Sequence, residues 1–177
     1  MHLGGSAAYR LLGARSHSGL VHYGLVVSGR LSRSGLPTSH GWRTLRQMGI
    51  RTIVNLRLGG DDIRLLRSLG FRGYLHLPVP DGLPLSKAQA NAFLDFVTDP
   101  SHWPVHLHCL TGVQRSGAAV ALVRYAVEGV ALSVALHEAD TYFPGPTRIQ
   151  IASLTRWARQ HPPGERAWRH PSSTRLV

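Results

Sequence analysis

With 177 residues and 43 % hydrophobic side chains, the chain can bury a core of one domain, which excludes a wholly disordered polypeptide. No apolar run is long enough to cross a bilayer, and the single cysteine, Cys109, excludes an internal disulfide and a cysteine-cluster zinc site. The net charge is +11, all but one of the 20 basic residues are arginine, and no acid precedes Asp61. Such a field draws anions, although arginine-rich genome composition gives the same count.

The first 20 residues read as a flexible basic arm. They lack the apolar core of a secretory signal, and the expectation is a cytoplasmic protein. "GLVVSGRLSRSGLP" reads as one or two short strands ending in a turn. Thr38 or Ser39 caps a helix over "SHGWRTLRQMG", with Trp42 and Leu45 inward and Gly49 as its stop. "RTIVNLRL" is a strand, and "DDIRLLRSLG" a short helix with Asp61 and Asp62 at its positive end.

"FRGYLHLPVP" is the next strand, followed by the irregular turn "PDGLPLS". Ser86 and Gln89 form a capping-box pattern, and Ala90, Phe93, Leu94 and Val97 give a core-facing helical stripe. "WPVHLHC" is a strand, and the small apolar run from Ser116 to Val127 a buried helix. "LSVALHEADTYF", with Ser133 as a candidate cap, and "PTRIQIASLTRWARQ" are the last helices. Residues 160–177 read as a disordered tail. Strands alternating with helices predict a single α/β domain over residues 21–159, with a mostly parallel sheet of four to five strands flanked by helices.

The chemistry concentrates at "HCLTGVQRSG". A strand ending at Cys109 and a helix starting near Ser116 leave a tight loop of Leu110, Thr111, Gly112, Val113, Gln114 and Arg115. Free N–H groups at the helix start make an anion site, Gly112 permits the turn, and Arg115 can hold two oxygens of a phosphate. The helix start and Arg115 both favour a Cys109 thiolate, and Ser116 can donate its hydroxyl to the sulfur.

The same ten residues match HCxxGxxR[ST]G at every fixed position, and so resemble the cysteine-dependent protein tyrosine phosphatases. The short length, "RSGLPTS" and "GIRTIVNLR" resemble the dual-specificity branch in particular, over roughly residues 20–158. The resemblance implies the phosphotyrosine protein phosphatase-like fold and hydrolysis of phosphomonoesters through a phosphocysteine, without metal or other cofactor. It also implies that His108 orders the loop and helps to lower the thiol pKa, a role with no counterpart for His106.

The reaction needs a proton for the leaving oxygen. Asp61 and Asp62 read as helix-start residues, Asp95 as solvated, and Glu128, Glu138, Asp140 and Glu165 fall on later helices or the tail. Asp81 ends a strand on the mobile-looking turn "PVPDGLP", at the sheet edge where ligands gather, and this segment resembles the family's Asp loop. Asp81 is therefore the expected general acid.

Leu110, Thr111, Val113 and Gln114 are uncharged, which favours a singly phosphorylated group such as phosphotyrosine on a protein. Arg30, Arg33 and Arg57 lie on segments that could bring charge from outside the loop. Inositol phosphates, phosphoinositides and RNA 5′ ends are the alternative substrates. A sulfurtransferase fits the pattern poorly, and an inactive basic phosphate-binding module would account for the charge but not for an intact Cys109 and Arg115. The expected protein is a monomer with a phosphorylated partner and no obligate nucleic acid.

Overall fold

The structure, a computed structural model, describes residues 19–140 and 144–169. The predicted first strand is a hairpin: β1 (Gly24–Val27) runs antiparallel to β2 (Leu31–Ser34). The chain passes through α1 (Ser39–Gln47) to β3 (Thr52–Asn55), and through α2 (Ile63–Ser68) to β4 (Gly73–His76). It returns through α3 (Lys87–Thr98) to β5 (Val105–His108), which inserts between β2 and β3. The order is β1-β2-β5-β3-β4, and every pair beyond the hairpin is parallel. α4 (Gln114–Ala126), α5 (Leu132–Ala139) and α6 (Arg148–Ala158) complete the domain.

Successive strand residues face opposite sides of the sheet, so each central strand feeds two cores. Val54, Val105 and Leu107 join the larger core with Phe93, Leu94 and the buried length of α4. Ile53 joins the smaller one with Trp42, Leu45, Leu66 and Phe71. On that second side His106 stacks on Tyr23, and His108 meets the edge of Trp42.

His106 is fully buried. Ser34 Oγ donates to the Gly35 carbonyl at 2.6 Å and so accepts from His106 Nε2 at 2.8 Å. In the neutral ring Nδ1 then accepts from Ser32 Oγ at 2.9 Å. Burial holds this imidazole well below its ordinary range, and neighbouring His108 acts in the same direction.

The expected caps form at Thr38 and at the Ser86–Gln89 capping box. Ser133 is not a cap: α5 starts at Leu132 after Ala131. α6 instead has a full capping box from Thr147 and Gln150. The expected disordered tail needs revision as far as residue 169. Backbone N–H groups of Gly164, Arg166 and Arg169 bond to carbonyls of Tyr125, Ala126 and Thr98, and Trp168 packs edge-on against Trp103. At the other end, Leu20 of the expected arm is buried, while residues 1–18 lie outside the described residues.

Candidate active site

Parallel strands bring their C-terminal ends to one edge, where Ser34, Asn55 and His108 lie in register. The chain leaves β5 there and turns through Cys109 and Gly112 into α4. Val113 caps α4 without a side-chain hydrogen bond, so the first turn keeps free backbone donors.

Three successive loop carbonyls are taken by donors outside the loop. Leu36 N–H bonds to the Leu110 carbonyl at 2.9 Å, His22 Nδ1 to that of Thr111 at 2.7 Å, and Arg33 Nη2 to that of Gly112 at 2.7 Å. With its carbonyls held on that side, the loop keeps N–H groups for its interior. Gly112 has φ of 76°, and a Cβ there would stand 2.3 Å from Gly35 N. No other residue type fits that backbone without displacing the β2 end.

Cys109 Sγ accepts from Gly112 N–H at 3.2 Å and from Ser116 Oγ at 3.1 Å. Burial pushes the thiol up. The Ser116 hydroxyl, the N–H groups of Ser116 and Gly112 and the charge of Arg115 outweigh it, so the net displacement is downward. Arg115 is itself buried: Nη1 donates to the Val79 carbonyl at 3.0 Å, and Nη2 lies 2.9 Å from Asp81 Oδ1. Its buried Nε has no hydrogen-bond partner among the described residues. Asp81 is 74 % exposed, on the turn after β4, so the expected acid and the arginine expected to bind phosphate meet directly.

His108 is fully buried, with Nδ1 3.3 Å from the Cys109 carbonyl and Nε2 2.8 Å from Asp61 Oδ2. Reading Asp61 as a plain helix-start residue therefore missed its partner. Asp62 alone caps α2, accepting from the N–H groups of Arg64 and Leu65. The signal in the sequence was the pair itself, since one cap leaves the second acid without a helix role.

The outlying arginines divide. Arg30 stacks over Trp103 and Trp168 at 4.7 and 5.0 Å, at the start of β2 and away from the cradle. Arg33 is fully buried under the loop. Arg57 lies 3.6 Å from Asp61. Arg33 and His22 are thus loop supports that sequence reasoning did not identify as such.

A thiol of lowered pKa, a buried guanidinium and a carboxylate meet at one sheet edge, the arrangement expected of a cysteine-dependent phosphatase. Residues 26–156 match the family described as DSP-PTPase phosphatase fused to NAD+ kinase, and the chain belongs to it. A probable chloroplastic NAD kinase 2 of Oryza sativa subsp. japonica is 34 % identical over 95 residues. That match takes in 50 % of this chain and spans only 10 % of the plant protein's length. Among solved structures, Tk-PTP superposes with a TM-score of 0.65 at 24 % identity, covering 78 % of this chain and 97 % of that one. TpbA of P. aeruginosa gives 0.66 at 24 %, covering 81 % and 88 %. The catalytic core of the PP-IP phosphatase SIW14 from S. cerevisiae gives 0.65 at 17 %, covering 78 % and 91 %. The five-stranded sheet flanked by helices is the one expected. Among the described residues no helix is long and apolar enough to cross a membrane.

Proposed function

We propose that the protein hydrolyses phosphomonoesters through a phosphocysteine, with phosphotyrosine-bearing protein as its preferred substrate. The observation that carries this reading is the buried Cys109 sulfur, held by Gly112 N–H and Ser116 Oγ beside Arg115. The thiolate attacks phosphorus, forming the S–P bond as the ester P–O bond breaks. Arg115 and the backbone N–H groups of residues 110–115 stabilise the charge on the equatorial oxygens, and Asp81 protonates the leaving oxygen. Water then attacks the phosphocysteine with Asp81 as base, and Ser116 donates to the departing sulfur while His108 keeps the loop in register.

The step needs Asp81 to give up Arg115 as phosphate arrives, since both compete for the same Nη2 edge. The substrate preference rests on the rim. Leu58, Leu83 and Leu110 are exposed on the connections that follow β3, β4 and β5, and the variable loop positions carry no charge. An aryl phosphate on a peptide buries against such a rim better than a polyanionic ring. The test is hydrolysis of p-nitrophenyl phosphate, sensitive to vanadate, insensitive to EDTA and abolished in Cys109→Ser. Preference for inositol phosphates or triphosphorylated RNA over phosphotyrosyl peptides in a substrate panel would overturn the substrate assignment alone.

A further inference from the structure

Behind the Asp81 turn lies a cavity of about 650 Å³ between residues 83–86, α3, α4 and α6. Its apolar lining comes from Leu85, Ala90, Ala118, Leu122, Leu154 and Trp157. Lys87, Arg156 and Gln160 also line it, and Lys87 Nζ reaches Gln160 Oε1 at 3.4 Å. A second depression of about 290 Å³ shares Pro84, Ser153 and Arg156 with the first and adds Arg148 and the exposed Ile149. The two form one apolar groove with three cations.

No Asp or Glu lines either depression, and neither Arg148 nor Arg156 forms an ion pair with a described residue. Residues 1–18, 141–143 and 170–177 contain no Asp or Glu side chain either, so these segments offer no complementary side-chain charge. The volume lies in the ~300–1,000 Å³ range of small-molecule sites, and its make-up of apolar walls with a few polar groups is the usual one.

We propose that this groove is a binding site for a small amphiphilic anion, an acyl or aryl body ending in a carboxylate or sulfonate. The body lies on Leu122, Leu154 and Trp157, and the anionic end meets Lys87 and Arg156. The site is separate from the Cys109 cradle, but one wall is the segment that follows Asp81. That segment is tied to α6, through Thr147 Oγ1 to the Gly82 carbonyl at 2.8 Å and Gln150 Nε2 to that of Leu83 at 3.0 Å.

The probe is 8-anilinonaphthalene-1-sulfonate, titrated into the intact chain by its own fluorescence and by quenching of tryptophan. Saturable binding at one site is expected. It should weaken at least fivefold in Lys87→Ala/Arg156→Ala and in Ser153→Phe, which fills the mouth, and persist under saturating vanadate. The uncharged N-phenyl-1-naphthylamine should bind wild-type protein at least fivefold more weakly, a comparison that needs no variant. Equal binding of the two probes, unchanged affinity in folded variants, or displacement by vanadate would each overturn the assignment.

Discussion

His108 Nε2 and Asp61 Oδ2 stand 2.8 Å apart, both side chains almost wholly out of solvent. The other ring nitrogen stands 3.3 Å from the Cys109 carbonyl, so the ring bridges the start of the loop and the Asp61 carboxylate. Asp61 is thereby expected to act on Cys109 through His108, as a positioning residue. In Asp61→Asn the carboxylate is replaced by a neutral, weaker partner, so the ring and the Cys109 carbonyl that it faces are held less firmly. The loss should fall on kcat rather than KM, with activity at neutral pH lower on the order of tenfold, since a hydrogen bond to a charged group is worth roughly 1.5–3 kcal/mol. A lower melting temperature with an unchanged kcat would mean that Asp61 only supports the fold.

The lowered Cys109 thiol sets the sign of the first pH effect. Thiolate is lost as pH falls through the lowered pKa, so kcat/KM should hold to more acidic pH than an ordinary cysteine allows. Ser116→Ala removes one of the donors that oppose burial, which moves the limb upward. It also removes the donor to the departing sulfur, so phosphocysteine breakdown should slow by about ten- to a hundredfold on the same hydrogen-bond scale. A larger burst of p-nitrophenol before steady state is the expected readout.

Asp81 and Arg115 make opposite demands on one contact. Asp81→Asn should cut turnover of alkyl phosphates by about 10²–10⁴-fold, the usual range for a positioned acid. Esters with good leaving groups should lose far less. The same change frees Arg115 Nη2, so vanadate should bind more tightly. Equal losses on both ester classes would sink Asp81 as the acid.

Local chemistry explains what could be read beforehand. Capping residues, the apolar stripe of α3 and the strand–loop–helix around Cys109 depend on neighbours in sequence, so their spacing carries the information. The contacts missed join distant segments: Asp61 to His108, Arg33 to Gly112 and His22 to Thr111. Each depends on β5 inserting between β2 and β3, and no local pattern specifies that order. Docking of residues 160–169 was hidden for the same reason, because backbone N–H groups and the Arg166 side chain find their partners on α3 and α4.

Gly112 gives a prediction on the loop itself. Ala at this position needs φ of 76° and puts Cβ 2.3 Å from Gly35 N. The loop must shift, which breaks the Gly112 N–H bond to sulfur. Gly112→Ala should destabilise by at least about 2 kcal/mol in urea melts and abolish turnover.

His106 tests the sheet rather than the chemistry. Its folded-state pKa is depressed, so between that value and the ordinary ~6.5 the unfolded chain binds a proton that the folded one does not. Stability therefore rises with pH in this window and is lost as pH falls below ~6.5, by at most ~1.4 kcal/mol per unit for one proton. The cause is burial, which penalises the charged ring, with His108 acting in the same direction. His106→Gln should cost stability at pH 7.5, because the two serine contacts cannot both be remade, yet show a shallower decline towards pH 5 than wild type. Parallel pH slopes in urea unfolding would place the titrating group elsewhere.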